Sequence, residues 1–76
     1  MSRGKMQFKI VSRLHVLRAE SRLTQEQLAR EVGVTRATIA AIERGDYNPS
    51  LELAFRLARR FDRDIEAIFS VEEEKR

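Results

Sequence analysis

The sequence of 76 residues has no cysteine and no tryptophan, and contains one histidine, one proline and three glycines. The lack of cysteine excludes disulfides and thiolate metal sites and favours a reducing, cytoplasmic setting. One histidine without cysteine leaves no nucleophile–base set, and no glycine-rich phosphate loop is present. No apolar run has the length of a membrane span, and residues 1–10 lack the apolar stretch of a secretory signal. We therefore expect no enzyme, cofactor, metal site or membrane partner.

The charge is unevenly distributed along the chain, although the formal net charge is only +3. Residues 1–22 contain six basic residues and one acidic residue, whereas residues 23–50 and 51–76 each have a slight acidic excess. A basic N-terminal segment favours a polyanionic partner such as nucleic acid, but a solvated basic tail explains it equally well. The predicted organisation is a basic arm or short strand over 1–10, a folded domain over 11–70 and a polar tail over 71–76.

Helical periodicity dominates the chain, and only the segment MQFKI, residues 6–10, alternates as a strand does. The first helix is predicted over residues 11–20. A second helix begins after Thr24, which forms a capping box with Gln27 three residues later. It ends at Gly33, because glycine suits the left-handed position that follows a helix.

Three further helices follow, each preceded by a residue that can cap it. Thr35 caps the third helix, which ends at Gly45, while Ser50 and Asp64 cap the fourth and the fifth. The apolar residues at helical spacing that are predicted to face the core are Val11, Leu14, Leu17, Leu28, Ala29, Val32, Ile39, Ile42, Leu51, Ala54, Leu57, Ala58, Phe61, Ile65, Ile68 and Phe69. The predicted fold class is all-α, a compact five-helix domain with a possible N-terminal strand or arm.

The segment QLAREVGVTRATIAAIERG has the properties of a helix-turn-helix, two helices of about eight residues joined by a short glycine-containing turn. Ala29 is small enough to let the two helices cross closely, and Gly33 reverses the chain at little steric cost. Val34 fills the corner, and Ile39 and Ile42 pack the second of the two helices onto the first. All these conditions are met within twenty residues, which makes the signal specific.

The outward face of the third helix carries unusually small side chains. At about 100° per residue, the residues opposite the core direction are Ala37, Ala40, Ala41 and Arg44, with Arg36 and Thr38 at the two sides. Small side chains let a helix lie deep in a DNA groove, where their methyl groups can contact thymine methyls. Arg36 is the main candidate for hydrogen-bonded base recognition, because its guanidinium matches O6 and N7 of guanine. The helix N-termini at Gln25 and Thr35 favour phosphate.

The segment LTQEQLAREVGVTRATIAAIERGDYNPSLELAFRLARRF resembles the DNA-binding domain of phage repressor and Cro-like regulators, the xenobiotic-response-element family. The resemblance extends over about residues 11–69 and implies a five-helix, usually dimeric domain whose third helix enters the major groove. The base contacts that it implies are Arg36, Ala37, Thr38 and Ala41. The phosphate contacts that it implies are Gln25, Thr35, Arg44, Tyr47 and Asn48. It also implies a buried ion pair between Arg18 and Glu43.

Three positions depart from the family pattern. Arg22 and Asp62 stand where glycine is common, and Arg63 stands where an aliphatic residue is common. These departures affect the predicted turn geometry at the two glycine positions and leave the DNA-binding segment unchanged.

Leu53, Phe55 and Val71 do not fit the predicted core, and such residues are either ordinary exposed side chains or a dimer patch. We expect a homodimer built around the fourth and fifth helices, because one recognition helix contacts only a half-site. The expected interface residues are Leu53, Phe55, Phe69 and Val71, and MQFKI either adds a strand to this interface or acts as an arm on DNA. The predicted function is that of a cytoplasmic transcriptional regulator that binds double-stranded DNA sequence-specifically, most simply a repressor on an inverted repeat. The alternative is a protein-interaction module such as an antitoxin, in which DNA binding is secondary.

Overall fold

Five helices and two short strands follow one another in the part of the chain that the computed structural model describes, residues 8–73. Their bounds are β1 Phe8–Ser12, α1 Leu14–Glu20, α2 Gln25–Val32, α3 Arg36–Arg44, α4 Leu51–Phe61, α5 Ile65–Ile68 and β2 Phe69–Glu73. The five predicted helices are confirmed, and a small two-stranded sheet joins the two ends of the described chain. No helix within residues 8–73 is long and apolar enough to cross a lipid bilayer.

Three of the helices begin at a hydroxyl N-cap, as predicted. Thr24, Thr35 and Ser50 precede α2, α3 and α4, and each side-chain oxygen accepts a hydrogen bond from the backbone N–H three residues later, at 3.0–3.2 Å. The capping box of α2 is complete, because Oε1 of Gln27 accepts a hydrogen bond from the Thr24 backbone N–H at 2.8 Å. Each such cap contributes about 1 kcal/mol to stability. Asp64 occupies the N-cap of α5, but its side chain makes no capping hydrogen bond.

Left-handed residues end three of the helices and shape the turn after α1. Gly33 and Gly45 follow α2 and α3 with φ of 81° and 84°, as the sequence predicts. Arg22 and Asp62 also have positive φ, 58° and 55°, at the two positions where the family commonly has glycine. Holding each of these side chains in the left-handed region costs about 1 kcal/mol.

The core is formed by one buried face from each helix. Its buried members are Leu14, Leu17, Leu28, Ala29, Val32, Ile39, Ile42, Leu53, Leu57, Ala58 and Ile68, with Leu23, Val34, Phe61, Ile65 and Phe69 packed against them. The predicted core face of α4 is wrong at its first residue. Leu53 is buried, with 7% of its surface exposed, whereas Leu51 is 70% exposed. Leu53 lies one turn before Leu57 and so continues the buried stripe.

The two strands pair antiparallel, which corrects the predicted start of α1 and the predicted tail. Val11 pairs with Ser70 in the sheet instead of opening the first helix, and α1 begins at Leu14. Residues 71–73, predicted as part of a polar tail, belong to β2. Residues 8–10 of MQFKI form a strand as expected, and β1 continues to Ser12. Residues 6–7 of that segment, the remaining N-terminal residues and residues 74–76 lie outside the described residues.

Candidate nucleic-acid interface

Helices α2 and α3 form the predicted helix-turn-helix, connected by residues 33–35. Ala29 is buried in the α2 face that meets α3, and the backbone N–H groups of Gly33 and Val34 both donate to its carbonyl oxygen at 2.9 Å. These two bonds satisfy the end of α2 and turn the chain sharply. Ile39 and Ile42 are fully buried and fix the inward face of α3. The opposite face of α3 is therefore presented to solvent.

The exposed face of α3 consists of short side chains beside one long cationic one. Arg36 and Ala37 are exposed, while Thr38, Ala40 and Ala41 are partly exposed. The four short residues project little beyond the helix backbone, so this face can approach a concave surface such as a DNA groove closely. The four residues predicted to contact bases thus lie on one accessible face.

Arg36 is linked to the interior of the domain by a chain of side-chain hydrogen bonds. Its Nη1 donates to Oε1 of Gln25 at 2.9 Å, and Nε2 of Gln25 donates to Oε1 of Glu43 at 2.9 Å. Glu43 in turn accepts from Nε and Nη2 of Arg18, at 2.7 and 3.2 Å. The chain joins α1, α2 and both ends of α3. It orients the Arg36 guanidinium before any ligand is present, which the sequence pattern did not indicate.

The Arg18–Glu43 ion pair is largely enclosed, with the two side chains 21% and 9% exposed. A third donor of Arg18, Nη1, donates to the carbonyl oxygen of Leu23 at 2.8 Å, so the guanidinium also holds the turn after α1. Burial by itself raises the pKa of the Glu43 carboxyl. The hydrogen bonds from Arg18 and Gln25 and the nearby positive charge outweigh burial, so the pKa of Glu43 lies below its ordinary value. Glu43 is therefore a charged structural group that supports α3.

The residues predicted to contact phosphates flank the exposed face of α3 at both ends. At its N-terminus, the Thr35 hydroxyl already caps the helix and lies 3.0 Å from the Thr38 hydroxyl. At its C-terminus, Arg44 is exposed, but its Nε donates to Oδ2 of Asp46 at 2.8 Å. The sequence pattern does not indicate this pairing, which partly neutralises Arg44. Exposed Tyr47 and Asn48 follow in the turn to α4.

The four residues predicted for a dimer interface are not equivalent. Leu53 belongs to the core, so it offers no surface to a second copy, and Phe69 packs partly buried against the core. Phe55 and Val71 are 52% and 45% exposed. Leu51, which was expected inside, lies one turn before Phe55 and is more exposed than either. The exposed apolar surface of α4 is thus formed by Leu51 and Phe55.

Comparison with known proteins places this geometry in a family. A helix-turn-helix family model matches residues 14–68. An uncharacterized HTH-type transcriptional regulator of Archaeoglobus fulgidus is 50% identical over 64 residues, covering 84% of this chain and 90% of that protein. The immunity repressor protein of Bacillus phage phi105 is 38% identical over 60 residues, covering 79% of this chain and 42% of that repressor.

A solved structure has the same fold. The restriction-modification controller protein C.AhdI from Aeromonas hydrophila superimposes with a TM-score of 0.66 and 37% identity, covering 71% of this chain and 78% of that one. These relatives are named as regulators, which does not favour the protein-interaction alternative. The family match, the regulator names and the exposed third helix agree, and the chain belongs to the Cro/C1-type helix-turn-helix family of DNA-binding transcriptional regulators.

Proposed function

We propose that this protein is a cytoplasmic repressor that binds an inverted-repeat operator in double-stranded DNA as a homodimer. The observation that carries the proposal is the exposed face of α3, where short side chains lie beside a pre-oriented Arg36. The repressor role is supported by the similarity to a phage immunity repressor.

Base recognition is assigned to Arg36, Ala37, Thr38 and Ala41. Arg36 donates two hydrogen bonds to O6 and N7 of a guanine. When it does so, its hydrogen bond to Gln25 either breaks or persists alongside the bonds to the base. Ala37 and Ala41 supply methyl contacts to thymine and keep the helix backbone close to the base edges. Thr38 lies between them at the first turn, where its hydroxyl can donate to a base edge or a phosphate.

Phosphate binding is assigned to Gln25, Thr35, Arg44, Tyr47 and Asn48. Backbone N–H groups at the start of α2 and α3, other than those that donate to the hydroxyls of Thr24 and Thr35, can donate to phosphate oxygens. The helix dipole favours a negative charge there. Binding to phosphate releases Arg44 from Asp46. These contacts set the register of the domain on DNA and supply affinity without sequence preference. The logarithm of affinity should fall with the logarithm of salt concentration by about 0.9 per phosphate neutralised.

We assign the homodimer interface to exposed apolar residues outside the α3 face, namely Leu51, Phe55 and Val71. Two copies related by a two-fold axis present two copies of α3, and successive major grooves on one side of DNA are separated by about 34 Å. A two-fold dimer therefore requires an operator with two inverted half-sites. Sedimentation of the wild type and of Phe55→Ser at micromolar concentration tests this assembly, since the variant should dissociate more readily.

Selection from random double-stranded DNA, followed by sequencing of the bound fraction, tests the proposed function as a whole. The expected result is an inverted repeat with one preferred guanine in each half-site. Arg36→Ala, selected in parallel, is the matched control and should lose that guanine while retaining other positions. A wild-type selection without enrichment would contradict sequence-specific binding, and a single unrepeated half-site would contradict the homodimer.

A further inference from the structure

A side chain from α4 holds the C-terminal end of α2. Nη1 of Arg56 donates a hydrogen bond to the carbonyl oxygen of Val32, the last residue of α2, at 3.0 Å. Nη2 of the same guanidinium donates to Oε2 of Glu52, one turn earlier on α4, at 2.6 Å. Arg56 therefore connects α4 to the residue that immediately precedes the turn of the helix-turn-helix.

The same guanidinium lies directly against that turn. A Cβ atom built on Gly33 would lie 3.0 Å from Nη1 of Arg56. The missing side chain at Gly33 thus permits both the positive φ of 81° and the approach of Arg56. The carbonyl end of a helix carries partial negative charge, so a charged donor at Val32 is favourable there.

We propose that Arg56 is a positioning residue for DNA recognition, which fixes α3 relative to α2 by clamping the turn between them and does not itself contact DNA. Arg56 lines a surface cleft together with Val34 at the turn and Thr38 in the first turn of α3. Displacement of its side chain would therefore be transmitted to the part of α3 from which Arg36 and Thr38 project. Because base recognition is the readout, this proposal rests on the function proposed above.

Two other roles for Arg56 make different predictions. A side chain that only stabilises the fold would change the free energy of unfolding and leave the preference for the operator over other DNA unchanged. A phosphate contact would weaken binding to every sequence alike and reduce the salt slope by about 0.9. The hydrogen bond from Nη1 to the carbonyl oxygen of Val32 argues against the phosphate role, because it directs the guanidinium toward the end of α2.

The test compares Arg56→Met, Arg56→Lys and Arg59→Met on the selected operator and on a scrambled duplex of the same length. Methionine keeps the aliphatic stem but removes the donors, and lysine keeps one charged donor. Arg59 is an exposed residue of the same helix, so Arg59→Met controls for the loss of one positive charge. Affinity is measured over a series of salt concentrations below the unfolding temperature of each variant.

The ratio of operator to scrambled affinity should fall by about fivefold in Arg56→Met, the lower limit of what one bidentate base contact contributes. The salt slope should match that of Arg59→Met, and Arg56→Lys should recover most of the ratio. An unchanged ratio in Arg56→Met, or a slope reduced relative to Arg59→Met, would overturn the proposal.

If Arg56→Met does not fold, the milder variants Arg56→Gln and Arg56→Lys keep the proposal testable. Arg56→Gln carries a shorter, neutral donor, so its preference for the operator should lie below that of Arg56→Lys. If both variants kept the wild-type ratio of operator to scrambled affinity, the positioning role of Arg56 would be contradicted. The selection with the wild type distinguishes a failure of the proposed function from a failure of the role of Arg56. A wild type without sequence preference contradicts the proposed function, whereas a selective wild type with an equally selective Arg56→Met contradicts only the role of Arg56.

Discussion

Helices α3 and α4 are both capped by a hydroxyl residue and both bury one face, but their exposed faces differ in size and chemistry. The exposed face of α3 has short side chains such as Ala37, with the cations of Arg36 and Arg44 at its two ends. The exposed face of α4 carries Leu51 and Phe55, which are 70% and 52% exposed. A helix with short side chains can approach the floor of a groove, whereas large exposed apolar groups gain free energy by leaving water. The difference therefore favours DNA as the partner of α3 and another protein surface as the partner of α4.

A matched pair of glutamate substitutions should separate the two faces, with the largest effect on α3. Ala37→Glu places a carboxylate among DNA phosphates, and like-charge contacts cost several kcal/mol, so operator affinity should fall by at least about a hundredfold. Because Ala37 is exposed, the free energy of unfolding should change by less than about 0.5 kcal/mol. Fluorescence anisotropy with labelled operator and thermal unfolding followed by circular dichroism measure the two quantities.

Leu51→Glu is the corresponding change on α4. It should weaken self-association, and its loss of operator affinity should disappear once the protein concentration exceeds the dimer dissociation constant. Wild-type operator affinity in Ala37→Glu would contradict the assignment of α3 to DNA. Equal, concentration-independent losses in both variants would show that the two faces do not have separate partners.

The ion pair beneath α3 should have the next largest effect, this time on stability. Glu43→Gln leaves the Arg18 guanidinium without its carboxylate, and we expect a loss of about 2–3 kcal/mol, since the pair is enclosed but not fully buried. Chemical denaturation measures the free energy of unfolding. Glu26→Gln is the control, because its i,i+4 pair with Arg30 is exposed and contributes less than about 0.5 kcal/mol. Equal losses in the two variants would contradict a supporting role for Glu43.

Arg36→Ala tests the cation on the α3 face and should cost about 1–3 kcal/mol of operator binding free energy. The loss should be confined to one base pair in each half-site, so a panel of operators substituted at single positions is the appropriate measurement. Arg59→Ala removes an equal charge from α4 and should leave the base preferences unchanged. A variant at position 36 that keeps every wild-type base preference would contradict the role assigned to Arg36.

The lowered pKa of Glu43 predicts a smaller, pH-dependent effect. The pKa of Glu43 is lower in the folded protein than in the unfolded chain. The carboxylate therefore contributes fully to the free energy of unfolding above the ordinary glutamate pKa, 4.5. This contribution is lost as the pH falls through the lower pKa that Glu43 has in the folded protein. The difference in unfolding free energy between wild type and Glu43→Gln should therefore be constant near neutral pH and shrink below 4.5. A difference that stays constant at acid pH would contradict the ionised pair.

The helix-turn-helix could be predicted from the sequence because its signals act over short distances along the chain. The capping box of Thr24 and Gln27 operates within one helical turn, and Gly33 is needed by the backbone of its own turn. The inward direction of α3 follows from the spacing of Ile39 and Ile42 alone. Such local features leave a pattern in the sequence whether or not the rest of the fold is known.

The features that were missed depend on residues far apart in the chain. The end of β2 was predicted as part of a polar tail because it contains acidic residues, and the formation of β2 depends on pairing with β1, which lies at the other end of the described chain. Leu51 was predicted to be buried and Leu53 to be exposed, and which of the two faces the core depends on where the other helices lie. The contact from Arg56 to Val32 joins two elements whose relative placement only the folded structure provides.

The central claim is that the outward face of α3, rather than α4 or the two-stranded sheet, meets DNA. Nitrogen-15 NMR spectra of the labelled protein, titrated with the selected operator, test it most directly, because each backbone amide reports separately. The account predicts the largest changes at the amides of residues 35–41 and at Tyr47, with Leu51 and Phe55 nearly unaffected. Changes centred on Leu51, Phe55 and Val71 would contradict it.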